Sequence, residues 1–186
     1  QAEDESDVAT YGARKALAER AAEQAMPGRV LAVRAGLIVG PHDYMARFPY
    51  WVSRMARGGE VLAPAPPQRL VQVIDVRDLA DWIVRMIERQ QTGIFNATGP
   101  DYELTMEAML TVCRSISGSN ARTTWVDEAF LLERGVKPWS ELPLWLPGEQ
   151  GHNFFTMDCA KAFDTGLHIR RLEDTVRDTL EWIRTT

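Results

Sequence analysis

Tyr11 and Lys15 stand four residues apart in the stretch Thr10-Tyr11-Gly12-Ala13-Arg14-Lys15-Ala16-Leu17. On a helix, positions i and i+4 share one face. A phenol is a weak base at neutral pH, with an ordinary pKa of about 10, and an ammonium close by favours the phenolate. A pair placed this way can move a proton to or from a substrate hydroxyl or carbonyl. The same spacing also describes two polar residues on a solvated helix face, and spacing alone leaves both readings open.

The elements that must position this pair can be read from the pattern around it. Tyr11 to Ala25 is alanine-rich and reads as a helix ended by Pro27-Gly28. Arg29 to Arg34 is a short apolar run suited to a buried parallel strand. Gly36-Leu37-Ile38-Val39-Gly40-Pro41 follows as a glycine-punctuated exit from that strand. Phe48 to Arg57 reads as a helix stopped by Gly58-Gly59, Val61 to Pro67 as irregular, and Leu70 to Ile74 as a second strand. Asp75 is placed to cap the next helix, and Asp78 in its first turn suits the helix dipole. That helix shows apolar residues at Val76, Leu79, Ala80, Ile83, Val84 and Ile87. Ile94 to Ala97 reads as a third strand.

Beyond Gly99 the texture changes. Helices are expected over Thr105–Ser117, Asp127–Arg134, Asp158–Asp164 and Glu173–Arg184, with a short strand at Thr123–Val126. Lys137 to Gly151, with its prolines and tryptophans, is expected to be a loop. Trp139 and Trp145 there suit either a lid or packing against the last helices. Strand and helix alternate up to residue 97, the mark of an α/β sheet, yet two or three parallel strands are few for an open sheet.

Composition sets outer bounds. The chain has 186 residues, 45% of them apolar and 25% charged, with a net charge of -5, the balance of a globular domain with a real core. There is no basic stripe, so nucleic acid is not an expected partner, and no apolar run long enough to span a bilayer. Cys113 and Cys159 lack the paired spacing of a zinc or redox site and read as reduced, buried thiols. His42, His152 and His168 are scattered, so no metal site is expected. Ala2 to Asp7 is acidic and polar, unlike a signal peptide. A cytoplasmic protein is expected.

Taken in order, Tyr11-x-x-x-Lys15, the run Val30 to Pro41, Val73-Ile74-Asp75-Val76-Arg77-Asp78-Leu79-Ala80 and Gly93-Ile94-Phe95-Asn96-Ala97-Thr98-Gly99 resemble the C-terminal half of the NAD-dependent epimerase/dehydratase family, the extended or atypical short-chain dehydrogenase/reductases. The resemblance implies an α/β fold: the C-terminal part of a doubly wound Rossmann-type parallel sheet over residues 1–100, plus a small mixed α+β substrate lobe over 101–186. It implies NAD or NADP as cofactor, with Tyr11 as catalytic acid/base and Lys15 as its partner, also reaching the nicotinamide ribose. Gly36, Leu37 and Ile38 would line the nicotinamide through backbone groups, because a glycine lets the backbone approach a ring closely. Substrate would lie against Tyr44, Arg47 and Trp51, with Arg69 nearby; the cluster Tyr44, Phe48, Tyr50 and Trp51 suits the aromatic core of the smaller lobe equally well.

The sequence departs from the family in three ways. It holds no Gly-x-x-Gly-x-x-Gly turn for a pyrophosphate. It holds no Ser or Thr on a strand upstream of Tyr11. Asp75 stands where histidine is common, and Val71 where sugar-nucleotide members carry arginine. The expectation is therefore an NAD(P)-dependent oxidoreductase, epimerase or dehydratase acting on a hydroxyl or carbonyl substrate, a nucleotide sugar or a smaller molecule, present as a C-terminal portion that is inactive alone. Its strand Val30–Arg34 is expected to present an open edge, met by a missing N-terminal half or by self-association; a stable monomer in light scattering would count against that. The competing reading is a non-catalytic binding or sensor module on the same fold.

Overall fold

The computed structural model describes residues 5–186, so residues 2–4 of the acidic stretch lie outside the described residues. The first helix, α1 (Glu5–Ala25), is 21 residues long. That exceeds the roughly 12–15 residues at which a good helix former becomes marginal alone. It needs that autonomy, because between Thr10 and Ala25 only Ala16 and Glu19 are partly covered. Arg34 grips Glu19 through two hydrogen bonds of 2.8 and 2.6 Å and so ties the helix to the following strand.

That strand is β1 (Leu31–Ala35), followed by β2 (Leu37–Val39), α2 (Arg47–Ala56), β3 (Glu60–Pro64), β4 (Val73–Asp75), α3 (Val76–Glu88) and β5 (Gly93–Ala97). Then come α4 (Met106–Ser117), β6 (Arg122–Val126), α5 (Glu128–Glu133), α6 (Gly148–Phe154), α7 (Ala160–Asp164) and α8 (Leu172–Thr185). All the strand pairings are parallel. β1 lies on β5 with Leu31 opposite Gly93, β2 on β4 with Leu37 opposite Val73, and β3 on β6 with Glu60 opposite Arg122. β1 has no other strand partner among the described residues. This is the α/β architecture with parallel strands and helical connections that the alternation implied.

Several elements differ from the reading of the sequence. Glu60–Pro64 is a strand, not an irregular stretch: Val61 and Ala63 alternate inward and the ladder with β6 satisfies their backbone, while Pro66 and Pro67 fall after it. Leu37–Val39 is a strand as well as an exit from β1. The segment Lys137–Gly151 gives way to α6 at Gly148. In α3 the buried face is Leu79, Trp82 and Met86 rather than the stripe expected, and Val76, Val84 and Ile87 are exposed. The helix is turned so that Trp82 meets Phe95 of β5 edge-on, with ring centroids 5.7 Å apart.

Two cores result. A smaller one joins α3, β5 and α7 around Ile74, Trp82, Met86 and Phe95. A larger one packs α2, α4 and α8 against β2 and β3 around Trp51, Met109, Trp145 and Val176. The larger core draws on both sides of residue 100, so the division expected there is one of sequence pattern rather than of packing. Both cysteines are free and buried, and burial pushes the Cys113 thiol up to about 12. Among the described residues no helix is long and apolar enough to cross a membrane, and no cluster of three or more His, Cys, Asp or Glu could hold a metal ion.

Candidate active site

The polar pair of α1 is presented outward. Tyr11 is 62% exposed, and the Lys15 ammonium stands 5.5 Å from the centre of its ring. The i, i+4 spacing thus brings phenol and ammonium together on an accessible face, one turn of helix apart. A hydroxyl and an ammonium so exposed offer one donor-acceptor and three donors to a bound molecule.

Gly36 is packed tightly on its Cβ side. Its N–H bonds the Ala97 carbonyl at 3.0 Å, and a Cβ at this position would collide with Thr98, meeting its Cβ at 2.5 Å and its Cγ2 at 3.1 Å. The room left by the missing side chain is filled by Thr98, not left for a ring on that side. The Thr98 hydroxyl, buried beside it, has no hydrogen-bond partner. Leu37 points into the larger core, whereas Ile38 faces solvent. Of the three residues expected to line a nicotinamide, only Ile38 presents a side chain to the outside. Gly40 takes φ 120° against the Asp75 carboxylate, 3.3 Å from where its Cβ would be, so no other residue fits there without strain.

The residues expected to meet substrate differ in exposure, and Arg47, Trp51 and Arg69 all contact the segment Trp139–Leu146. Tyr44 is 89% exposed. Arg47 lies over the Trp139 ring at 4.8 Å, and Trp139 in turn packs edge-on against Phe154. Trp51 is a correction: it is fully buried, and its indole N–H donates to the Pro143 carbonyl at 2.8 Å, which makes it a core residue out of a substrate's reach. Arg69 is a second correction. It donates to Glu128 at 2.6 Å and to the Leu146 and Ala65 carbonyls at 2.8 and 3.1 Å. Its side chain is committed to holding the loop before α6.

Glu128 was not legible as important. It accepts from Arg69, from the Trp145 indole at 3.0 Å and from the Gly148 N–H at 3.0 Å. Burial works to raise its pKa, but these donors more than offset it and hold the carboxyl below its ordinary value. Trp145 is accordingly core, the packing alternative of the two considered. Asp43, between Gly40 and Tyr44, was also missed: burial raises its carboxyl against the N–H groups of Met45, Phe48 and Ala46 and the charge of Arg47. Only its position in a short polar loop could have drawn attention to it.

Asp75 and Asp78 are structural, as their capping positions implied. Asp75 accepts from the Arg77 N–H at 2.9 Å, from the Arg77 guanidinium at 2.9 and 2.8 Å, and from the Thr175 hydroxyl at 2.8 Å. Asp78 holds Arg170 through its backbone and side chain, both at 2.9 Å. Arg77 reaches on to Asp178 at 2.6 Å. The cluster fastens the start of α3 to α8 and leaves no carboxylate free for chemistry.

A protein-family model described as the NAD dependent epimerase/dehydratase family matches residues 1–98. No curated protein matches the chain significantly. Among solved structures, the UDP-glucose 4-epimerase of Thermotoga maritima with UDP-glucose is 17% identical with a TM-score of 0.58, over 82% of this chain and 45% of that one. A GDP-L-fucose synthetase from Naegleria fowleri bound to NADP is 12% identical with a TM-score of 0.60, over 83% and 46%. A GDP-D-glycero-L-gluco-heptose synthase from Campylobacter jejuni, in the presence of NADPH, is 10% identical with a TM-score of 0.63, over 88% and 56%. At these identities the likeness is one of fold. The chain spans about half the length of the solved structures it matches.

Proposed function

The chain belongs to the NAD-dependent epimerase/dehydratase family, and from that premise we propose that it carries the acid–base pair of an NAD(P)-dependent epimerase, dehydratase or reductase acting at a hydroxyl- or carbonyl-bearing carbon. The observation that carries this reading is the accessible Tyr11–Lys15 pair on one face of α1. Tyr11 gives or takes the substrate proton at its phenol oxygen. Lys15 stabilises the negative charge that gathers on that oxygen as the proton leaves. Its ammonium also has donors to spare for a ribose hydroxyl.

The exposed Tyr11 phenol and Lys15 ammonium suit the ribose hydroxyls at the nicotinamide end of a dinucleotide. They do not fit its phosphates, for which the sequence offers no glycine-rich turn. A bound nicotinamide would supply hydride exchange with the substrate carbon. We place the phosphate-holding residues outside this sequence, so that the chain alone has no turnover. The short share of the matched structures that it spans supports this.

The test is Tyr11→Phe in a protein that joins this chain to its phosphate-binding unit. Turnover should fall by roughly 10²–10⁴-fold, the usual worth of a positioned acid–base group, with dinucleotide affinity unchanged. Retained turnover would remove Tyr11 from the chemistry and favour a binding or sensor module.

A further inference from the structure

A cavity of about 410 Å³ opens between the loop Pro100–Leu104 and the segment Phe155–Ala160, floored by Leu70, Val71 and Gln72. None of its walls comes from α1, from the Gly36–Val39 segment or from the Tyr44–Arg47 loop, so it shares no lining residue with Tyr11, Lys15, Ile38 or Arg47. Its size is that of a small-molecule pocket.

The walls are fixed by hydrogen bonds. Gln72 donates to the Met157 carbonyl at 3.1 Å and accepts from the Met157 N–H at 2.9 Å. Val71 donates to the Leu104 carbonyl at 2.9 Å, and Val73 to the Gly99 carbonyl at 2.8 Å. The two sides of the cavity are therefore both pinned to one extended strand, and the opening is held ready rather than made on demand.

The lining is chemically one-sided. Leu104, Phe155 and Cys159 give it a buried apolar wall beside the polar Gln72 and Thr156. Its rim carries three carboxylates, Asp101, Glu103 and Asp158, and the Tyr102 ring stands 58% exposed between the first two. None of the described lining residues is a lysine, arginine or histidine. The cations on the flanking segments, Lys161, Arg170 and Arg171, each have an acceptor of their own. The Lys161 ammonium donates to the Ile94 carbonyl at 2.8 Å over the Phe95 ring, and Arg170 is held by Asp78. The rim field is felt by Tyr102, whose phenol is pushed above its ordinary value by burial and then by the carboxylates of Glu173 and Asp101.

We infer that this cavity binds an organic ammonium compound with an apolar body. The apolar part enters against Leu104 and Phe155, and the cationic nitrogen stays at the rim between Asp101, Glu103 and the face of Tyr102. Carboxylates attract the charge, and an exposed aromatic face adds a cation–π contribution. An anionic ligand would meet three carboxylates and no counter-charge.

The test uses the chain as it is, at low salt, with 2-phenylethylammonium as probe. Two-dimensional amide NMR follows Tyr102, Glu103, Met157 and Cys159 during titration. The expected result is saturable shifts at these residues, with 2-phenylethanol binding at least about tenfold more weakly and 3-phenylpropionate not at all. The double change Asp101→Asn with Glu103→Gln, both exposed and so harmless to the fold, should weaken the ammonium about tenfold while leaving the rest of the spectrum in place. Tyr102→Leu should weaken it with the carboxylates intact. Equal binding of the alcohol and the ammonium, shifts scattered over other surface acids, unchanged affinity in the double variant, or no binding at all would each overturn the inference.

Discussion

Removing Asp75 should be among the most damaging single changes in the molecule. The residue is 3% exposed and joins three parts of the chain: it caps α3, accepts a two-pronged ion pair from Arg77, and takes the hydroxyl of Thr175, which is itself buried on α8. Asp75→Ala removes an N-cap worth about 1 kcal/mol. It also strands the Thr175 hydroxyl and leaves Arg77 with Asp178 alone. Because Arg77 is 38% exposed and keeps Asp178, the cost is that of the cap and the stranded hydroxyl, roughly 2–4 kcal/mol in all. Asp75→Asn keeps a capping acceptor and a partner for Thr175, and loses the charge, for roughly 1–3 kcal/mol. The assay is urea unfolding of each variant at pH 7 and in acid, reading the midpoint at constant slope. Burial works to raise the Asp75 carboxyl, but Arg77, Thr175 and Arg170 more than offset it and hold it below its ordinary 3.8. A group depressed in the folded state contributes stability that is fully present above 3.8 and lost as pH falls through the lower folded value. The gap between wild type and Asp75→Asn should therefore be full at pH 7 and close in strong acid. A gap that persists unchanged at pH 2, or an alanine variant less than about 1 kcal/mol below wild type, less than the cap and the stranded hydroxyl together, would refute the reasoning.

Two further outcomes follow from packing. Gly36→Ala should destabilise the fold by about 1–3 kcal/mol through overpacking against Thr98. Adding Thr98→Gly should restore it, whereas Thr98→Ala should not, because the Thr98 Cβ itself lies 2.5 Å from the new methyl; thermal unfolding of the single and double variants decides. Trp82 is fully buried with an indole N–H that has no partner, so Trp82→Phe removes an orphaned donor along with some packing. It should cost less than about 1.5 kcal/mol, against roughly 3–5 kcal/mol for Trp82→Ala, measured by the same unfolding midpoints.

The sequence by itself determined what depends on local spacing. The i, i+4 placement of Tyr11 and Lys15 fixes their shared face on any helix, and alanine-rich α1 forms that helix almost without tertiary help. Asp75, Thr105 and Asp127 cap the helices that follow them because a cap is a bond between near neighbours in the chain. Helix ends at Gly118 and the parallel α/β alternation were legible for the same reason.

Tertiary structure decided what depends on partners distant in sequence. β3 is a strand only because β6, about sixty residues on, offers its backbone a ladder. The buried face of α3, Leu79, Trp82 and Met86, keeps helical spacing, and Trp82 meets Phe95 of β5 there. Trp51 and Arg69 look like recognition residues until Pro143 takes the indole N–H and Leu146, Ala65 and Glu128 take the terminal guanidinium nitrogens. Gly36 looks like an opening until Thr98 is found filling it. A side chain's type states which bonds it can make, and only the folded chain determines whether those bonds are already spent.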